Sequence, residues 1–319
     1  MCAWWMAAAT ASLAVMAWSG STLAAEDGGG PSSMGPPVSS YAGLASSSQG
    51  LSWQSRMAYA AGPSAQAAQM ADANFTAGAL NSVSMFPTVS SFHAWGPSLG
   101  RWSFGSQMTV PEGVPSTPAS VEAASWTAHQ QVGDIGSGNV AFAPVVASYH
   151  INQTDRLAFS MGVSAPTMSF QHGRYVYAGA NVWSVTPKVA YTKVLSSPDV
   201  ESSTIVAVGT FSRKSVEDYQ NGAVGRIEAV VMERNPNGWG FGGVAAAIQQ
   251  LYTNPNTMAG RSPNYSNMGG LAMGVGPQVS WSTHWMGSNV ELQYRWIYEF
   301  TAPNGHADQP MLLSATLHL

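Results

Sequence analysis

The sequence predicts an all-β protein, an antiparallel transmembrane β-barrel of the outer-membrane type with about twelve strands. Three observations predict it. Charge is scarce: 12 Lys+Arg and 16 Asp+Glu in 319 residues make 9%, against roughly 25% in an average soluble domain. Hydrophobicity alternates with period two through most of the chain beyond residue 80, the pattern of strands with one apolar face. Trp and Tyr stand at the ends of these runs (Trp183, Tyr191, Trp239, Tyr252, Trp281, Trp285, Trp296, Tyr298), where a membrane strand places its rings at headgroup level.

Taken in order, residues 1–25 read as a secretory signal peptide. An uncharged apolar stretch from Ala3 to Trp18 is followed by small residues up to Ala24 and Ala25, with cleavage expected after one of these two. The stretch is shorter than the roughly 20 apolar residues of a spanning helix. Cys2, the one cysteine, lies in this segment, so the mature chain has no thiol for a disulfide, a thiolate metal site or a cysteine nucleophile. Residues 26–80 are rich in Ser, Gly, Ala and Pro. They read as a lead-in or as a plug folded into a lumen, and the sequence leaves both open.

Residues 81–319 read as the barrel. Strand-like runs fall near 83–95, 99–110, 121–132, 139–151, 156–168, 182–194, 202–214, 223–233, 238–252, 269–285, 289–301 and 310–319. The clearest is Val290 to Phe300, where Val290, Leu292, Tyr294, Trp296, Tyr298 and Phe300 share one face and Glu291, Gln293, Arg295, Ile297 and Glu299 the other. Connections alternate in length, with MGS and RNPNG tight and SFQHGRYVYAGAN and TNPNTMAGRSPNYSNMG long. Short turns at one rim and long loops at the other are what an outer-membrane barrel shows, with both ends of the chain on the periplasmic side. A soluble sandwich also alternates, but it fills its wet face with charge, whereas here the polar face is mostly Ser, Thr, Gly and Gln.

At Gly133, Asp134 and Ile135, at Gly162–Thr167 (GVSAPT) and at Asn181, Trp183 and Pro187 (NVWSVTP), order and spacing resemble the outer-membrane transporter family named for the meta pathway of phenol degradation. YQNG at Tyr219–Gly222, the hairpin Asn237–Tyr252, GPQV at Gly276–Val279 and LQYRWIYEF at Leu292–Phe300 extend the resemblance over roughly residues 130 to 319. Met168, Ser169, Ala223 and Leu319 depart from the family pattern. The resemblance implies passage of small hydrophobic or aromatic compounds across the outer membrane of a Gram-negative-type bacterium, after export. Outer-membrane lipid and the solute are then the expected partners.

Other chemistry finds little support. A net charge of −4 offers no basic stripe for nucleic acid. The seven histidines show no H-x-H, H-x-x-H or H-x-x-x-H spacing, so no metal site and no cofactor are expected. An outer-membrane hydrolase would need a nucleophile motif, and Ser282 with His284 does not supply one. The protein is expected not to be an enzyme. The candidate functional residues are the lumen-facing polar set Lys188, Arg226, Glu228, Gln278, His284, Glu291, Gln293, Arg295 and Glu299. They either line a solute path or form ion pairs that brace the wall, Arg295 with Glu299 or Glu291 being the expected pair. Tyr175, Tyr177 and Tyr265 are candidates for an aromatic surface at the mouth, or simple loop-packing residues. A closed structural or receptor-type barrel would have the same wall, and the oligomeric state is left open.

Overall fold

Alternation decides which way each side chain faces, and backbone pairing decides how the strands close. The computed structural model describes residues 50–63, 81–96, 98–111, 117–123, 126–132, 140–165, 183–195, 200–211, 223–251, 271–301 and 309–319. Its strands are β1 (Gly50–Pro63), β2 (Asn81–Ala94), β3 (Trp102–Pro111), β4 (Thr117–Ala123), β5 (Trp126–Val132), β6 (Val140–His150), β7 (Asp155–Ala165) and β8 (Ser184–Val194). They continue as β9 (Val200–Phe211), β10 (Val224–Arg234), β11 (Trp239–Gln250), β12 (Leu271–Trp285), β13 (Ser288–Trp296), β14 (Tyr298–Thr301) and β15 (Met311–His318).

Thirteen of these strands form one antiparallel sheet that closes on itself. β1 pairs with β2 along its whole length and with β15 from Ser52↔His318 to Tyr59↔Met311. β14 continues the line of β13 along β12, so the wall has twelve strand positions. Closure of the sheet through the β1–β15 and β11–β12 pairings satisfies the backbone internally, which the apolar interior of a membrane demands of any sheet that spans it.

The inside-out distribution of polarity identifies the solvent. In β13 the inward Glu291, Gln293 and Arg295 are 5%, 3% and 1% exposed, while the outward Leu292 and Tyr294 are 40% and 43% exposed. Trp53, Met57, Phe159, Val189 and Phe241 are likewise large, apolar and outward. A soluble fold would hide these residues; a barrel in lipid presents them.

The strand ends joined by short connections gather at one rim: Ala94 and Trp102, His150 and Asp155, Val194 and Val200, Arg234 and Trp239, and Trp285 and Ser288. Met286 and Gly287 have φ of 50° and 84°, the positive values that a two-residue hairpin needs at both central positions. Gly50 and Leu319 lie at this same rim, with Leu319 N–H donating to the Leu51 carbonyl at 2.9 Å. Aromatic rings belt it: Trp102 and Tyr149 are 4.9 Å apart between ring centres, Trp239 and Phe241 6.0 Å, and Trp239 and Trp281 6.4 Å.

Two of the expected boundaries are corrected. Residues 50–63, read as part of a lead-in or plug, are a strand of the wall. The run expected at 121–132 is not a wall strand, because β4 and β5 pair only with each other, as a hairpin in the connection between β3 and β6. The strand number came out right because one strand was missed and one was overcounted. The missed strand alternates well: Trp53 and Met57 are exposed against the buried Gln54 and half-buried Arg56. Its small-residue neighbours hide that alternation in the sequence. The signal segment, residues 26–49 and residues 64–80 lie outside the described residues.

Candidate functional site: the barrel lumen

Inward positions recur at every second residue, so each strand delivers a column of side chains to the lumen. β10 delivers Arg226, Glu228, Val230, Met232 and Arg234, β12 delivers Gln278, and β13 with β14 delivers Glu291, Gln293, Arg295, Ile297 and Glu299. Curvature then brings together inward groups that stand three strand positions apart. Arg295 Nη1 donates to Glu228 Oε1 at 2.6 Å and Arg295 Nε to Gln278 Oε1 at 2.7 Å. The second Glu228 oxygen accepts from Arg226 Nη2 at 3.1 Å. Charge-assisted bonds of this length are the stronger kind, and both oxygens of the buried carboxylate are satisfied.

Arg295 therefore takes Glu228 and Gln278, in place of the expected Glu299 or Glu291. Glu291 accepts from Arg234 Nη1 at 3.3 Å, nearer the rim of short turns. The expectation rested on closeness along one strand, and barrel curvature offers a shorter path across the chord. Glu299 and Gln293 are inward and buried. Lys188 is inward and half-buried on β8. His284 is exposed at the rim of short turns, with its Nδ1 2.7 Å from Asn289 Oδ1. Tyr175, Tyr177 and Tyr265 lie outside the described residues.

Some lumen groups escaped the sequence reading, Arg234 on β10 and Arg56 on β1 among them. Arg56 on β1 donates from Nη2 to Gln54 Oε1 at 2.6 Å, and Gln54 Nε2 donates to Thr316 Oγ1 at 3.0 Å. Arg56 stands within electrostatic range of Arg295, Glu228 and Arg226, and Lys188 within range of Arg56, Glu228 and Arg226. The Trp53, Gln54, Arg56, Met57 alternation was the signal that would have found it.

Beside the charged belt runs an apolar patch of Val230, Met232, Val244, Ala246, Ile248 and Ile297, with Val224 against it. Ile297 lies between Arg295 and Glu299 on the inward face, and Val230 follows Glu228. Among the described residues, no three His, Asp, Glu or Cys side chains come together as a metal site would require.

Residues 56–308, most of the chain, match the family described as the MetA-pathway of phenol degradation. The chain belongs to this family. Its fold is similar to that of an outer-membrane channel from Pseudomonas putida F1, at TM-score 0.59 and 12% identity over 85% of this chain and 96% of that one. At that identity the likeness shows the fold. A Pseudomonas aeruginosa FadL homologue aligns at TM-score 0.44 and 11% identity, over 94% and 99% of the two chains. A toluene transporter from Ralstonia pickettii aligns at TM-score 0.39 and 10% identity, over 91% of each chain. No curated protein matches the sequence. Within the family framework, the GPQV and LQYRWIYEF segments fall on β12 and on β13 with β14, and they carry Gln278, Gln293, Arg295 and Glu299 of the lumen.

Proposed function

We propose that this family member is a passive channel that admits small hydrophobic or aromatic solutes across the outer membrane and performs no covalent chemistry. The observation that carries the reading is the contiguous apolar patch on the inside of a wall that also presents Gln278, Ser280, Gln293 and Thr316. Each Å² of apolar solute surface removed from water there is worth about 25 cal/mol. The Ser, Thr and Gln positions around the patch meet the hydroxyl or carbonyl of a solute. Such a lumen lowers the free energy of an aromatic ring in transit without holding it tightly. Family membership and the channel fold of the Pseudomonas putida protein support the reading. The rim of short turns with both wall ends is then periplasmic, the mature chain starts after Ala24 or Ala25, and the loop tyrosines Tyr175, Tyr177 and Tyr265 form an aromatic surface at the mouth.

The test is planar-bilayer conductance of the refolded chain starting at Glu26, beside the same chain starting at Gly50, which keeps β1 whole. Phenol uptake into vesicles containing lipopolysaccharide accompanies it. Discrete current steps and faster phenol uptake than in protein-free vesicles are expected. Steps only in the shorter chain would make residues 26–49 a plug. The burial of the Glu228–Arg295 pair, 0% and 1% exposed, favours one other reading, a barrel closed for structural or receptor purposes. Silence of both chains together with no uptake would establish that reading and overturn the channel.

A further inference from the structure

We infer that the solute path runs along β7 and β8 and favours uncharged solutes that carry a hydroxyl or carbonyl on an apolar body; the inference rests on the channel reading and names its side of the lumen and its substrate class. Register sets the inward residues of these two strands opposite one another in three steps, Ser160↔Lys188, Gly162↔Thr186 and Ser164↔Ser184. Side chains opposed in this way stand about 5 Å apart, and successive steps are about 6.6 Å apart along the strand. The result is a strip with hydroxyls at each step, leading from Lys188 toward the rim of long connections. The GVSAPT and NVWSVTP segments supply most of it, through Gly162 and Ser164 and through Ser184 and Thr186.

Exposure sets this strip apart. All six of its residues are half-buried and keep access to the lumen. At the same end of the lumen on β11 and β12, Ala246, Ile248 and Ala272 are buried, and on β13 and β14 every inward residue from Glu291 to Glu299 is buried. The open space is therefore one-sided. A second observation agrees: a Cβ on Gly162 would meet nothing nearer than the Thr186 carbonyl oxygen at 3.6 Å, so the strip has room in front of it. The side chains of Ser164, Ser184 and Thr186 are not hydrogen-bonded to other described residues, unlike the buried Thr192 and Ser203, which share a 2.9 Å contact. A hydroxyl both donates and accepts. A solute hydroxyl or carbonyl that has shed its water finds a partner at each step, whereas a hydrocarbon gains nothing there.

The chain from Glu26 onward contains no cysteine, so introduced thiols report accessibility one at a time. Ser164→Cys and Thr186→Cys, refolded into bilayers, are expected to react with a membrane-impermeant methanethiosulfonate reagent and to lose current as they do. Val230→Cys and Ala246→Cys, at buried positions on the ion-paired side, are expected to react about tenfold more slowly. Ser160→Cys replaces either strip variant if it fails to fold. The substrate class is read from uptake into vesicles containing lipopolysaccharide. Ser164→Ala with Thr186→Val is expected to slow benzyl alcohol by about fivefold, the worth of one hydrogen bond, and to leave toluene unchanged. Faster reaction at Val230→Cys and Ala246→Cys than on the strip, or equal effects on the two solutes, overturns the inference. Conductance of the unmodified chain keeps the channel reading in both of those cases, while no conductance and no uptake removes both readings.

Discussion

The wall from β10 to β14 and the wall formed by β2, β3, β6 and β7 face one lumen with different side chains. The first sends in Arg226, Glu228, Met232, Gln278, Arg295 and Glu299, long groups that bond across strands. The second sends in Ser90, Ser103, Ala143, Ser148 and Ala158 beside the larger Phe92, Val146 and Arg156, and among the described residues its side-chain contacts are few, the Ser90–Thr109 hydroxyl contact at 2.9 Å being one. Long polar groups predominate on one side and small ones on the other, which is complementary in volume, as a barrel interior filled by side chains requires. The difference teaches that specific, long-range energy is concentrated in one sector, while the other rests mainly on its backbone ladder.

Breaking the braced sector has the largest expected effect. Glu228→Ala leaves Arg295 and Arg226 buried without their shared carboxylate, and removal of one partner of a buried ion pair costs about 3–5 kcal/mol. The double variant Glu228→Met with Arg295→Met removes both charges and is expected to recover most of that loss. Urea titration of the protein folded into lipid vesicles measures both. Equal destabilisation by single and double variants would show that the pair contributes packing alone.

The fold was legible because alternation and charge scarcity are local properties, visible strand by strand. Closure was not. β1 is marked as wall by pairing with β15, and Gln54 meets Thr316 across 262 positions; no local pattern records that. The lumen shows the same division. Alternation told which residues of β13 face inward, so Glu291, Gln293 and Arg295 were found. It carried no information on curvature, so the 67-residue link from Arg295 to Glu228 replaced the expected neighbour on the same strand. Arg56 was missed for the same reason, since it belongs to the lumen only once β1 joins the wall.

Glycines sharpen the comparison at the next level. A Cβ at Gly242, inward on β11, would sit 2.0 Å from the Val231 carbonyl oxygen and 2.5 Å from Met232 Sδ. A Cβ at Gly162, inward on β7, would have nothing nearer than the Thr186 carbonyl oxygen at 3.6 Å. Gly242→Ala must push the β10–β11 ladder apart, for a loss of about 1–3 kcal/mol. Gly162→Ala is expected to fall within about 0.5 kcal/mol of the parent. Similar urea midpoints for the two would remove the distinction between a tightly interlocked position on β11 and an open one on β7.

The smallest effect separates a hydroxyl that works from one that does not. Ser203 on β9 shares a 2.9 Å contact with Thr192 on β8, both buried, so Ser203→Ala strands a buried Thr192 hydroxyl. About 1 kcal/mol of destabilisation follows. Ser103 and Ser148 stand opposite each other between β3 and β6, fully buried, and neither Oγ has a hydrogen-bond partner among the described residues. Their desolvation is already uncompensated, so Ser148→Ala is expected to be neutral or to stabilise by up to about 1 kcal/mol. A clear loss of stability in Ser148→Ala would mean that this hydroxyl is satisfied in the folded protein, and that the small-residue sector carries specific polar contacts after all.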